Sequence, residues 1–405
     1  MTDAFRSFAP MPNLYPSLIL KKGKERSIQN FHPWIFSGAV HQQDKDLEEG
    51  SVCEIYSSDN RFLATAHFHH GSIVARILSF EQTKIDTEFF HRKIQAAFQF
   101  RKNAGLTPDA ANSAFRLVHG EADYLPGLIA DVYNSTVVLQ AHTAGMHHSL
   151  GLICDALLAC GELRCTAVFD KSAEAMKKHS GIASENKYLH GQKENDVIQE
   201  NDLSFQVDWE TGQKTGFYLD QRENRKLVLK YAAGRKVLNA FAYSGAFSVY
   251  ALKGGAQRVD SVDSSPRAKE WTLHNIRLNF ADAPHRFYES DVFEFLKNND
   301  TDYNLMILDP PAFAKRLSAV EQATIGYRNL NYEAIRKVSR NGIIFTFSCS
   351  QAIEKKLFRK IIFTAAAQAK RQVRILHQLT QAPDHPVSVY HPEGEYLKGV
   401  VLFVE

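Results

Sequence analysis

From residue 203 onward the chain alternates apolar runs of strand length with segments of helix length, and no other feature restricts its fold as tightly. The runs are "RKVLNAFAYSG", "QRVDSVDSS", "HRFYESDVF", "YNLMILDPP" and "NGIIFTFSCS". Near-continuous apolar runs suit strands buried on both faces, and the intervening segments supply the helices that cover them. The pattern predicts an α/β unit with a parallel sheet between two helical layers. Sheets of this class bind ligands outside the carboxyl ends of their strands. All five runs end in small or acidic residues, so the polar chemistry collects along that edge.

The chain before residue 203 reads differently. "SLILKKG", "WIFSGAV", "GSVCEIYS", "FLATAHFHH" and "GSIVARILSF" are short strands punctuated by turn residues, as in a small β-barrel. "TEFFHRKIQAAFQFRKNAG" then sets Phe90, Ile94, Ala97 and Phe98 at helical spacing, with Gly105 as a stop. "FRLVHGEADYLPGLIADVYNSTVVLQ" returns to strands, with Pro126-Gly127 and Asn134-Ser135 as turns. Residues 183–201 are polar and read as a loop or linker. A chain of 405 residues exceeds what one core usually fills, and three parts are expected: 1–85, 86–200 and 201–405.

Composition sets few limits. The net charge of +3 permits a polyanionic partner without requiring one. Five cysteines, an odd and sparse set, suit free thiols in a reducing cytoplasm. The start, "MTDAFRSFAPMPN", lacks a signal-peptide pattern, and no apolar run approaches the ~18 residues of a membrane span.

At the sheet edge, "NAFAYSGAFSVYALKGG" carries a single glycine, Gly245, before an apolar helix. This is not the G-x-G-x-x-G of a dinucleotide site. Either Gly245 lets a ligand approach the backbone, or it serves a tight strand-to-helix turn. Asp263, 18 residues on, could accept hydrogen bonds from both ribose hydroxyls, or could cap a helix beginning near Pro266. Asp291 could reach an adenine edge, or cap the next helix. Their order and spacing together favour a cofactor that carries adenosine.

Here the sequence resembles the S-adenosylmethionine-dependent methyltransferases of the Rossmann-like class. It resembles more narrowly the single-cysteine bacterial methyltransferases that act on C5 of cytosine in 23S ribosomal RNA. The stretches that carry the resemblance are "HPWIFSGAV", "GEADYLPGLIADVY", "TGQKTGFYLDQRENR", "VLNAFAYSGAFSVYAL", "VDSVDSS" with the "PRAKEWTLHNIRLN" that follows it, "LDPPAFAK", "FTFSCS" and "HPVSVYHPEGEYLKG", in order through nearly the whole chain. The resemblance implies an N-terminal PUA-like barrel, a central α+β domain and a C-terminal methyltransferase domain using S-adenosylmethionine. Tyr243, Ser244 and Gly245 would line the methionine side, Asp263 would hold the ribose, and Asp291 would lie by the adenine. Tyr218, Asp220, Gln221 and Arg222 would close over the cofactor.

Chemistry on C5 of cytosine needs a thiolate that adds to C6 and makes C5 nucleophilic. Cys349, at the end of the fifth run, stands where that thiol belongs; a small buried residue is its plain alternative. Asp309 ends the fourth run, and in protonated form could donate to N3 of the ring. Pro310 and Pro311 would stiffen the loop, Phe313 could pack against a base, and Lys315 could meet a phosphate. Two-cysteine enzymes carry a second cysteine where this chain has Asp-Pro-Pro, so no residue is assigned to remove the C5 proton. The same element also resembles the D/N-P-P-Y/F motif of amino-methyltransferases, which gives N-methylation of a purine in ribosomal RNA as the alternative activity. An inactive PUA-type RNA-binding protein is the non-enzymatic alternative.

Partner expectations follow. Lys21, Lys22, Lys24 and Arg26 lie within six residues, with Trp34 close behind, a combination that suits phosphate contact plus stacking. The expected partner is 23S ribosomal RNA, naked or in an assembling large subunit; no membrane contact is expected, and a homodimer is left open. His67, His69 and His70 suggest a metal only weakly, since a third ligand of suitable spacing is lacking.

Overall fold

The computed structural model describes residues 13–109, 111–300, 302–314 and 316–405. It divides into two compact units. The first holds the described residues up to Gly105, Arg116–Lys193 and Val387–Pro392; the second holds Leu106–Phe115, Glu194–Pro386 and Glu393–Glu405.

The first unit begins with β1 (Ser17–Leu20), β2 (Trp34–Phe36), β3 (Val40–Gln43), β4 (Val52–Tyr56), β5 (Phe62–Phe68) and β6 (Ile73–Ser79). They form one mixed sheet in the order β2-β6-β5-β4-β1-β3. Leu18, Leu20, Ile35, Cys53, Ile55, Ala64, Ala66 and Phe68 pack its core. Strand β3 escapes a sequence reading because three of its four residues are exposed. Helix α1 (Thr87–Asn103) starts where the Asp86 carboxylate accepts from the Phe89 amide at 3.0 Å, and it buries the face its spacing predicts. Strands β7 (Ala114–His119), β8 (Leu128–Tyr133), β9 (Thr136–Ala141), β10 (Ala167–Asp170) and β11 (Lys187–His190) make a second sheet, in the order β11-β10-β9-β8-β7.

The polar stretch 183–201 is not the loop expected of it. It contains β11 and also β12 (Val197–Glu200), which pairs with β13 (Leu203–Gln206). Between them Asn201 and Asp202 have φ of 51° and 60°, the left-handed geometry of a two-residue hairpin turn. Strands of four residues, with none buried in β11 and only two in β12, carry too little apolar signal to stand out.

The second unit holds β14 (Lys236–Ala240), β15 (Arg258–Asp263), β16 (His285–Glu289), β17 (Leu305–Leu308), β18 (Gly342–Ser348), β19 (Val373–Thr380) and β20 (Lys398–Val404). Their order is β16-β15-β14-β17-β18-β20-β19. The first five are parallel and coincide with the five apolar runs. Strand β20 then inserts antiparallel between β18 and β19, an edge that the alternation did not announce. Helices α2 (Arg222–Ala232), α3 (Ala246–Lys253), α4 (Pro266–Asn279), α5 (Val292–Asn298), α6 (Val320–Lys337) and α7 (Lys355–Ala369) surround the sheet. Tyr327, Leu330, Ile335, Phe358 and Ile361 from α6 and α7 pack on Met306, Leu308, Ile344 and Leu402 in a single core. Chain direction across the sheet reverses between β14 and β17, the switch point at which such folds open a crevice. No helix among the described residues is long and apolar enough to cross a membrane.

Candidate active site

The crevice at the switch point is a cavity of about 440 Å³. Its wall is built from the segments that leave β14, β15, β17 and β18, closed by residues 211–225. Two non-glycine residues after β14, Phe241 and Tyr243, have φ of 61° and 48°. Left-handed backbone at bulky residues is costly, and it clusters where a site over-determines the chain path. Gly245 follows with φ 72°, and a Cβ there would lie 2.6 Å from Thr272 Cγ2 of α4. The turn and the close approach of α4 therefore account for the glycine. Tyr243, Ser244, Ala246 and Phe247 line the cavity around it.

Asp263 also lines the cavity. Its Oδ2 accepts from the Tyr243 amide and its Oδ1 from the Ser265 amide, both at 3.0 Å, which fixes the carboxylate. Helix α4 is capped by Ser265, with Pro266 in its first turn, so Asp263 is not spent on the cap. Asp291 is: its Oδ1 accepts from the Phe293 and Glu294 amides at 2.8 and 3.1 Å, and it is not among the cavity residues.

Tyr218, Asp220 and Gln221 line the opposite wall. Tyr396 donates its hydroxyl to Asp220 Oδ2 at 2.7 Å, while Asp220 Oδ1 is buried without a hydrogen-bond partner. A buried carboxylate oxygen left bare is costly, so this atom is a place for a donor that a ligand brings. Arg222 turns elsewhere and donates to Asp384 Oδ2 at 2.9 Å and to the Ala114 carbonyl at 3.0 Å. Arg225 takes the cavity position instead. It clasps Glu200 through two bonds of 2.7 and 2.6 Å and donates to the Tyr218 carbonyl at 2.8 Å. The two arginines stand one helical turn apart, and no local pattern distinguishes them. Trp271 and Arg267 of α4 also line the cavity, with the guanidinium 4.8 Å above the indole ring.

At the far end Asp309 and Cys349 leave the neighbouring parallel strands β17 and β18, and both open on the cavity with Pro310 and Pro311. Burial, and then the charge of Asp220, raise Asp309 to about 7, against a hydrogen bond from Gln221 and the charge of Arg225. It is an acid that still holds its proton near neutrality. Cys349 is half-buried, and its thiol faces the Pro310 carbonyl at 3.9 Å. Burial, then Asp309 and Asp220, push this thiol up to about 12, with Lys214 opposing. Phe313 does not line the cavity; it packs on Tyr327, ring centres 4.5 Å apart, and faces Phe293. Lys315 lies outside the described residues.

In the first unit Lys21, Lys22, Lys24 and Arg26 are all exposed, in the turn after β1 and the short helix Arg26–Gln29. Trp34 is held between neighbours: its Nε1 donates to Glu121 Oε1 at 2.9 Å, and its ring meets His391 at 4.4 Å and Arg76 at 5.6 Å. His67 is buried against Gly145, and His69 Nδ1 shares a hydrogen bond of 2.9 Å with Glu49. Among the described residues no group of three or more His, Cys, Asp or Glu could hold a metal ion.

Comparison with known proteins adds context for this geometry. Residues 18–80 match the model of the PUA-like domain, and residues 175–389 match that of the S-adenosylmethionine-dependent methyltransferases. The chain is 38% identical over 397 residues to "Ribosomal RNA large subunit methyltransferase I" of Aeromonas salmonicida, covering 95% of this chain and 98% of the relative. A protein of the same name from Vibrio cholerae is 36% identical over 393 residues, with the same coverage. Among solved structures, a SAM-dependent methyltransferase from Streptococcus mutans superposes with a TM-score of 0.82 at 24% identity, over 96% of this chain and all of that one. Another, a methyltransferase complexed with SAH, gives the same TM-score and coverage at 25% identity.

Proposed function

The chain belongs to the S-adenosylmethionine-dependent methyltransferases, in the family of the ribosomal RNA large subunit methyltransferases I, and we propose that Cys349 and Asp309 direct its chemistry to C5 of a cytosine in 23S ribosomal RNA. The observation that carries this reading is one thiol and one carboxyl group at adjacent strand ends, opening on one cavity, with burial raising the carboxyl to about 7.

The cavity residues fit the cofactor. Asp263, oriented by two amides, has lone pairs left for ribose hydroxyls. The bare Oδ1 of Asp220 would accept from the methionine ammonium, with Tyr218 and Gln221 beside it. Tyr243 and Ser244 would line the methionine side. When bound, S-adenosylmethionine supplies an electrophilic methyl group on a sulfonium.

Cys349 Sγ, deprotonated, adds to C6 of the cytosine. The electrons of the C5–C6 double bond move into the ring, and N3 takes the proton of Asp309 as negative charge reaches it. C5 is then nucleophilic enough to take a methyl group. Loss of the C5 proton to a base restores the double bond, breaks the C6–S bond and returns the thiolate, and N3 gives its proton back to Asp309. The raised value of Asp309 suits this role, because an acid near 7 gives its proton up without being lost to solvent beforehand. Phe313, half-buried, packs on Tyr327 and does not line the cavity, which weighs against N-methylation of a purine stacked on that ring.

RNA containing 5-fluorocytidine at the target tests the reading. Fluorine at C5 blocks the last proton loss, so the C6–S bond should persist as an adduct stable in denaturing gels and mapped to Cys349. A fully active enzyme that leaves no adduct would remove the covalent mechanism. Bisulfite mapping of ribosomal RNA from a deletion strain names the nucleotide.

A further inference from the structure

Lysine is rarely buried, and a buried lysine without a carboxylate partner is rarer still. Lys398, the first residue of β20, is 5% exposed and stands opposite Ser348 in the antiparallel pairing with β18. Its Nζ donates to the Ser350 carbonyl at 2.6 Å and to the Ile353 carbonyl at 2.7 Å. Those carbonyls bracket the loop that leaves Cys349. Ser350 also ties that loop to the one bearing Asp309. Its Oγ accepts from the Ala314 amide at 3.1 Å and shares a hydrogen bond of 2.9 Å with the Tyr327 hydroxyl.

The two carbonyls call for a donor, but a neutral one would meet them at lower desolvation cost than an ammonium. The ammonium is justified by what surrounds the thiol. Facing Cys349 are the carboxyl groups of Asp309 and Asp220, the phenols of Tyr218 and Tyr327, and the charge of Lys214. Facing Lys398 are Cys349, Glu395 and Lys355. The neighbours of the thiol are mostly acidic, and a thiolate there needs a fixed positive charge.

We propose that Lys398 is a positioning residue: its ammonium, anchored on the Ser350 and Ile353 carbonyls, holds the Cys349 loop and stabilises the Cys349 thiolate against the neighbouring carboxylates. The proposal rests on Cys349 being the nucleophile. Burial lowers Lys398 to about 8, with Cys349 and Glu395 acting the other way, so the ammonium is largely retained at neutral pH and gains when the thiolate forms.

Iodoacetamide alkylation of Cys349 in the full chain, followed by peptide mass between pH 6.5 and 10, tests this apart from turnover. Lys398→Met should slow alkylation at pH 8 about tenfold, one unit of thiol pKa. Turnover on the level stretch above about pH 7 should fall by the same factor, with KM for S-adenosylmethionine unchanged. Lys398→Arg should recover most of both. Alkylation at the parental rate in Lys398→Met would overturn the proposal and leave Lys398 a packing residue. Should the methionine variant fail to fold, Lys398→Gln keeps a donor for the carbonyls and removes only the charge; parental alkylation there overturns it equally. The reading of Cys349 fails separately, if Cys349→Ala retains turnover, while alkylation of the parent still reports on Lys398.

Discussion

Two sets of charged groups in this chain live under opposite conditions. Around the cavity of the second unit, Asp220, Asp309, Arg225 and Lys398 are withdrawn from water, held by hydrogen-bond partners, or pushed off their ordinary pKa. On the first unit, Lys21, Lys22, Lys24 and Arg26 stand in solvent. Bond-making at a ring carbon needs groups fixed to within a fraction of an ångström and acting in a low dielectric. Meeting a phosphate backbone needs only charge, and mobility costs little there. Substitutions in the first set should therefore change rates by orders of magnitude, and those in the second should change affinity by small, salt-dependent factors.

The largest effect belongs to Cys349. Its replacement by alanine should lower turnover by roughly 10⁴-fold or more, since on the proposed route no later step begins without the adduct. Binding of S-adenosylmethionine, read by calorimetry, should stay within about twofold. A heat of binding would also exclude a decayed methyltransferase domain. Residual turnover above a few per cent would place the chemistry elsewhere.

Asp309→Asn should cost about 10²–10³-fold, the usual scale for a positioned acid. Its pH behaviour has a definite sign. Asp309 is raised above its unfolded value, so its contribution to stability is whole below about 4 and is lost as pH rises through about 7. The asparagine variant should thus melt higher than the parent at pH 8, by about 2–4 °C, with the gain gone by pH 4. In the parent, turnover should rise with pH up to about 7 and then level off, because above that each loss of this proton is matched by an equal gain in thiolate. Asp263→Ala sits lower on the scale, with an expected loss of about 10–100-fold in cofactor affinity and an unchanged Tm. An unchanged dissociation constant would return Asp263 to a purely structural part.

How far the sequence alone could go is clearest at single residues. Strands β14, β17 and β18 were legible because they are almost wholly buried and read as apolar runs, while β15 and the edge strand β16, which has no buried residue, were legible only from their place in the alternation. Strands β11 and β12 were not, being four residues long with no buried residue in the first and two in the second. Cys349, Asp309 and Asp263 could be placed because the end of a strand fixes where the following side chains stand. Arg222 and Arg225 could not be told apart, since their fates depend on Asp384 and Glu200, distant in sequence. For Gly245 and Asp291 the sequence leaves a ligand role and a local one side by side, and the local duty, a left-handed turn and a helix cap, is the one the structure displays. Lys398 belongs to a stretch that carries the family resemblance, yet its burial follows from β20 inserting beside β18, a pairing no local pattern encodes.

The smallest effect tests the other side of the contrast. Changing Lys21, Lys22, Lys24 and Arg26 together to glutamine should weaken RNA binding by about tenfold at ~0.4 M salt, where counterion release contributes least. Each phosphate interaction removed should reduce the slope of log K against log salt by about 0.7 on single strands. Removing four should lower it by roughly 3, a change easier to read than the affinity itself. Turnover at saturating RNA should stay near the parental value, because none of these side chains is among the residues lining the cavity. A parental slope with reduced affinity would mean that the cations shape the turn after β1 and touch no phosphate. A large fall in saturated turnover would break the division between positioned and solvated charge on which the whole ranking of effects rests.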